Sequence, residues 1–285
     1  MQDIEKTALE YFSERIRKAV LGAVQSSGGV LSCITIRKNG AVSVVAEGKN
    51  VLCGIQATRE EMDYTLDKLC KGSLYAYADE IRCGVITTDS GLRAGVCGTA
   101  VTEKGKLVSV RDISSVSLRI PHRIEDAADF MLPLIKKYDC ILVYSRPAGG
   151  KTTVLRELIP TVSERHRTSV IDTRYELSCF LDKCQICDVF LGYPRYDGIM
   201  SSVRTMSPEY IICDEISTEE EAEAVVYAHA AGVKVIASAH AGTLDELKKN
   251  KAADILLKKS VFDCLCGLNA FGEAPTITIP EVTEQ

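Results

Sequence analysis

The sequence predicts an α/β protein in two parts, a mainly parallel, helix-covered sheet preceded by a smaller α+β domain. Two observations carry this reading. Downstream of "LRIPHRIEDAADF", four apolar runs, "CILVYS", "TSVIDT", "YIICDEI" and "VKVIASAH", alternate with helical stretches, the pattern of strands buried on both faces. Upstream, short apolar segments separated by turn residues imply mostly local antiparallel pairing. The rhythm changes near residues 119 to 127, which sets the domains at 1–122 and 123–285.

In chain order, Ile4, Ala8, Phe12, Ile16 and Val20 recur every four residues and predict one opening amphipathic helix whose stripe covers its own domain. "VLSCITIRKNGAVSVVAEG" predicts two strands joined at Asn39-Gly40, residues that accept the positive φ of a tight hairpin. Thr58 and Glu61 form a capping-box signal for a helix from Arg59 to about Lys71. "CGVITTDSGLRAGVCGTAVTEKGKLVSV" predicts a meander of short strands, punctuated by Asp89-Ser90-Gly91 and Lys104-Gly105. In the second half, Thr218 with Glu221 and Thr243 with Glu246 are further capping-box signals, and Gly232 marks a helix end before the next strand.

At 285 residues, with 46% apolar and 26% charged side chains, the chain has room for two cores of ordinary soluble composition. A net charge of -5 and a pI near 5.6 argue against broad, sequence-blind nucleic-acid binding. Twelve scattered cysteines, many inside apolar runs, read as buried reduced thiols. The charged opening segment does not resemble a signal peptide, and no charge-free run reaches spanning length, so a cytoplasmic location is expected.

The chemistry concentrates in "DCILVYSRPAGGKTTVLRELIP". From Ser145 through Arg146, Pro147, Ala148, Gly149, Gly150, Lys151, Thr152 and Thr153, a strand breaks into a glycine loop that opens a helix. The spacing fits G-x-x-x-x-G-K-[ST], with serine in place of the first glycine. In such a loop, backbone N–H groups surround phosphates, the lysine reaches the terminal groups and the threonine hydroxyl holds Mg²⁺. Serine is tolerated there if its φ is negative. "YIICDEI" ends in Asp214 and Glu215, one carboxylate for Mg²⁺ and one to polarise water for attack on the γ-phosphate. His240 closes "VKVIASAH" at the carboxyl edge of the sheet, either facing the phosphates or serving as a structural histidine. Asp172 and Arg174 in "VIDTRYE" join the candidates, Asp172 on the nucleotide side and Arg174 on the catalytic side. Cys179, Cys184 and Cys187 echo an iron–sulfur spacing but lack a fourth ligand, which favours buried thiols.

"SRPAGGKTT", "VIDTRYE", "SSVRTMSPEYIICDEI" and "VIASAHAG", in that order, resemble the stage III sporulation protein AA family. The likeness extends upstream through "GSLYAYADEIRCGVITTDSGLRAGVCGTAV" and "ISSVSLRIPHRI", over roughly residues 30 to 250. The resemblance implies a RecA-like ATPase domain related to the hexameric type II and type IV secretion ATPases. It also implies ATP and Mg²⁺, self-association into a homo-hexameric ring, and membrane-protein partners in a sporulation channel, on the mother-cell side of the membrane. By matched position, Lys151 and Thr152 lie in the Walker A motif, Asp214 and Glu215 in Walker B, and His240 at the family's histidine, while Thr173 replaces a usual glutamate. Arg119 and Arg123 take the place where secretion ATPases bring catalytic arginines toward nucleotide; a surface pair bonded to Glu125 and Asp126 is the alternative. The rival functions are a nucleic-acid-associated RecA-like ATPase and a nucleotide-binding scaffold with weak turnover.

Overall fold

A computed structural model describes residues 3–88, 90–124, 126–183, 187–269 and 273–280. Asp89, Glu125 and Cys184, which entered the sequence reading, lie outside these residues. The chain separates into two compact units, Met1–His122 and Arg123–Gln285.

The first unit begins with two helices where the periodicity predicts one, α1 (Asp3–Leu9) and α2 (Glu14–Ser27). The break has a local cause: the Ser13 hydroxyl accepts a hydrogen bond from the Ile16 N–H at 3.3 Å and starts a new helix. The apolar stripe survives the break, with Ala8, Phe12, Ile16 and Val20 fully buried. Six antiparallel strands follow, β1 (Leu31–Arg37), β2 (Gly40–Ala46), β3 (Lys49–Ala57), β4 (Val85–Thr87), β5 (Arg93–Glu103) and β6 (Lys106–Arg119). Their order in the sheet is β3-β2-β1-β6-β5-β4.

Arg37 pairs with Gly40, so the first hairpin turns on Lys38 and Asn39, one residue upstream of the expected pair. Asn39 supplies the positive φ of 52°, while a Cβ on Gly40 would stand 3.0 Å from that of Arg37, a tight contact. The meander also differs from expectation, because β5 and β6 are long strands of 11 and 14 residues. Lys104 and Gly105, at φ 49° and 77°, make the tight turn between them. Between β3 and β4 lie α3 (Arg59–Leu69) and α4 (Ala78–Arg82); the Thr58–Glu61 capping box forms at the start of α3.

The second unit contains α5 (Leu132–Lys137), β7 (Ile141–Ser145), α6 (Lys151–Ser163), β8 (Thr168–Asp172), β9 (Cys187–Leu191), α7 (Arg195–Thr205) and β10 (Tyr210–Glu215). It continues with α8 (Glu219–Ala230), β11 (Lys234–His240), α9 (Leu244–Lys249), α10 (Lys251–Lys258), β12 (Cys264–Gly267) and β13 (Thr276–Thr278). The sheet runs β13-β12-β7-β11-β10-β8-β9, parallel except for β13. Alternate residues of one strand enter opposite cores: Leu142 and Tyr144 pack with α8 and α10, Ile141 and Val143 with α6. The sequence signals missed β9, β12 and β13, which lie toward the sheet's flanks and are short or only partly buried.

The Thr218–Glu221 capping box is complete, whereas Thr243 caps α9 without a reciprocal bond, because Glu246 accepts from the Gly242 N–H. Gly232, at φ 83°, ends α8 as expected. We expect Thr218→Ala to cost about 1 kcal/mol in the first turn of α8. Hydrogen exchange checks this: the first-turn amides should lose protection while those of β11 keep theirs.

Candidate functional site

Parallel pairing carries β7, β11, β10 and β8 in one direction, so the residues at their carboxyl ends gather at one edge of the sheet. His240 stands in register with Ser145. The loop after β7 therefore begins beside the end of β11.

Ser145 is buried and its φ is not left-handed; the positive φ values fall on Ala148 (60°) and Gly150 (88°). The serine thus sits where the backbone accepts it. Its side chain nevertheless constrains the loop, since a Cβ on Gly149 would lie 2.4 Å from the Ser145 Oγ. Gly149 is required by contact and Gly150 by conformation. Gly150 is the N-cap of α6 and makes no side-chain cap bond, so the helix presents its first-turn N–H groups without a protein acceptor from a capping side chain.

Lys151, the first residue of α6, is buried. Its Nζ lies 3.0 Å from the Ser145 carbonyl, 3.2 Å from the Ser145 Oγ, 3.2 Å from the Arg146 carbonyl and 2.9 Å from the His240 Nδ1. An ammonium can only donate, so Nδ1 accepts and the His240 proton sits on Nε2. That nitrogen lies 3.0 Å from the Glu215 Oε2, and the Arg174 Nη1 approaches the same oxygen at 3.6 Å. Lysine, histidine, glutamate and arginine from four sequence segments form one connected chain. Burial pushes the Lys151 ammonium below its ordinary range, with Glu215 opposing that shift.

Asp214 faces a different partner. Arg195, at the start of α7, donates from Nε to the Asp214 Oδ1 at 2.9 Å and from Nη2 to the same oxygen. Its Nη1 donates to Glu221, which in turn accepts from the Ser217 and Thr218 N–H groups. Burial raises the Asp214 carboxyl to about 6, against the lowering effect of Arg195. Arg195 belongs to none of the sequence motifs. Its only signal is a lone arginine following "FLGYP", and its role depends on α7 packing against α8 and β8.

Asp172 bonds its own loop. Its carboxylate is fully buried and accepts three backbone N–H bonds, from Glu176 at 2.9 Å, Leu177 at 3.1 Å and Ser178 at 2.8 Å. These three bonds shape the loop that carries Arg174. The neighbouring Thr173 Oγ1 is buried without a hydrogen-bond partner. Arg123 is paired with Glu157 of α6 at 2.8 Å rather than with Asp126, and Arg119 ends β6 in the other unit.

Thr152 is half-buried in the first turn of α6, and Thr153 lines a cleft of about 600 Å³ together with Gly149, Gly150 and Val154. Phe130 and Leu268 give that cleft an apolar wall. Arg146 and Pro147 are exposed in the loop. Cys179 is buried and lies 3.5 Å from the Arg156 Nη1, while Cys187 belongs to β9. Among the described residues, no group of three or more His, Cys, Asp or Glu side chains is arranged to hold a metal by itself, and no helix is long and apolar enough to cross a membrane.

Solved structures share this architecture. The pilus retraction motor PilT with bound ADP aligns with a TM-score of 0.63 at 16% identity, over 93% of this chain and 82% of that one. The ATPase DotB of Legionella pneumophila aligns with a TM-score of 0.61 at 14% identity, over 90% and 77%. At such identities the likeness establishes the fold, a RecA-like α/β sheet preceded by a smaller domain. In sequence, the stage III sporulation protein AA of Bacillus subtilis (strain 168) is 31% identical over 244 residues, 81% of this chain and 80% of that protein. The family model described as sporulation stage III, protein AA matches residues 2–279. On that match and that identity, the chain belongs to the stage III sporulation protein AA family.

Proposed function

We propose that this chain is an Mg²⁺-dependent ATPase that works as a ring of copies, in the cytoplasm, against a membrane-embedded channel or secretion assembly between mother cell and forespore. The observation that carries the proposal is the Lys151–His240–Glu215 chain beside the uncapped start of α6. A buried ammonium, free helix N–H groups and an oriented carboxylate are the parts that phosphoryl transfer to water requires. The family membership supports the sporulation setting, and the fold shared with a pilus retraction motor and the ATPase DotB supports the motor role.

The residues fit ATP and its metal. The close approach of Gly149 to Ser145 leaves the loop backbone bare toward an anion, and the 600 Å³ cleft has the size and apolar wall that a nucleoside needs. Thr152 would hold Mg²⁺ together with Asp214, whose bonds from Arg195 both land on Oδ1 and leave Oδ2 as acceptor. The metal supplies charge neutralisation on the phosphates. In this scheme Lys151 leaves the Ser145 and Arg146 carbonyls for the phosphates. Glu215, its Oε2 held by His240, orients the attacking water and accepts its proton at Oε1. Arg174 and Asp172 act as positioning residues, Arg174 on Glu215 and Asp172 on the loop beneath it. Arg123 braces α6 through Glu157, and Arg119 is assigned to stabilising phosphate charge.

Lys151→Ala should weaken nucleotide affinity at least about tenfold, through loss of the cation in the cradle. Glu215→Gln should keep affinity within about threefold and lower kcat by about a hundredfold or more. Calorimetry and turnover assays check both, and equal affinity of Lys151→Ala and the parent chain would exclude the phosphate cradle. Because Ser145 occupies an unstrained position and its hydroxyl supplies one of four contacts to Lys151, while its carbonyl contact survives the substitution, Ser145→Gly should leave turnover within about threefold. A larger loss would give its hydroxyl a role in the reaction.

A further inference from the structure

We propose a second ligand site in the unit 123–285, at the sheet edge opposite the phosphate loop, for a small phosphate monoester with an aromatic or aliphatic body. The proposal does not depend on the ATPase reading. The five residues of β7 separate the two edges by roughly 17 Å, so a ligand here does not reach the Lys151 cradle.

A cavity of about 380 Å³ opens where β10 and β11 begin, with Tyr210 and Lys234 in register at its rim. Lys136 from α5 and Arg165 from beyond the end of α6 converge on it from the covering helices, and His166 joins them. The Lys234 ammonium is paired with Asp139 at 2.6 Å. Among the described residues, Lys136 and Arg165 have no carboxylate within ion-pair distance. Three cations against Asp139 leave two positive charges facing one cavity, in a chain whose net charge is -5. A dianion balances them. Arginine supplies a planar fork and lysine a movable donor, a combination suited to the tetrahedral oxygens of phosphate.

The remaining walls select for more than charge. Leu132, Ile135 and Val162 are apolar, and the His166 and Tyr210 rings contact each other at 5.0 Å between centroids. An inorganic anion would leave that surface unfilled, whereas a ring or short aliphatic body would bury it. The volume lies near the low end for small-molecule sites, about 300 to 1,000 Å³, which suits one ring system rather than a dinucleotide. Two sources carry this chemistry, a soluble ester such as a nucleoside monophosphate and the headgroup of phosphatidic acid.

The test uses the full chain carrying Lys151→Ala, so that the phosphate loop contributes little. Calorimetry compares phenyl phosphate, AMP and inorganic phosphate; co-sedimentation compares phosphatidylcholine vesicles with and without phosphatidic acid. Each measurement is repeated with Lys136→Glu and Arg165→Glu added, both at exposed positions, with the fold checked by circular dichroism. At least one ester, in solution or on vesicles, should bind about tenfold more tightly than inorganic phosphate, and the charge reversals should weaken it by about a hundredfold. AMP or phenyl phosphate binding without vesicle binding assigns a soluble ester, and vesicle binding alone assigns the lipid headgroup. No ester binding above that of inorganic phosphate, or equal binding by the charge-reversed chain, overturns the proposal.

Discussion

Burial of both faces of the central parallel strands is the constraint on which the second unit depends. Leu142 and Tyr144 must enter one core and Ile141 and Val143 the other, so helices have to cover both sides and every connection must cross over. Once β7, β11, β10 and β8 run in one direction, their carboxyl ends share an edge. Ser145, His240, Glu215 and Asp172 arrive there because of how the strands above them are packed. The chemistry at this edge is a consequence of apolar burial elsewhere.

At that edge, charge is handled by pairing rather than by exposure. Lys151 is surrounded by two carbonyl oxygens, a hydroxyl and an imidazole nitrogen, and Asp214 is matched by Arg195, which also reaches Glu221. A buried charge without such partners is strongly destabilising, so each of these groups fixes its neighbours. Glu221 shows the economy of the arrangement: one carboxylate caps α8 and also holds the guanidinium that orients Asp214. The start of α8 and the end of β10 are thereby tied through a single side chain from α7. A change at any of the three would be felt by the other two.

The elements that were legible in the sequence were those with strong local chemistry. The Thr58–Glu61 and Thr218–Glu221 capping boxes, the long apolar strands and the glycine loop before Lys151 all rest on contacts a few residues apart. Two local features were finer than the periodicity shows. The opening helix broke at Ser13, whose hydroxyl caps α2 while also donating to Glu61 of α3 at 2.8 Å. The hairpin turns one residue upstream of the expected pair, with the positive φ on Asn39 and with Gly40 paired to Arg37.

By itself the sequence determined the α/β class and the family, and marked the strand, cap and glycine-loop segments, since periodicity, capping and motif spacing are all properties of short segments. Only the tertiary structure decided that Asp172 shapes a loop, that Arg195 holds Asp214, that Arg123 braces α6, and that Lys151, His240 and Glu215 form one connected chain. Those partners lie tens of residues apart in the chain. Nothing in their own segments records which neighbour the packing of the strands will bring within hydrogen-bond distance.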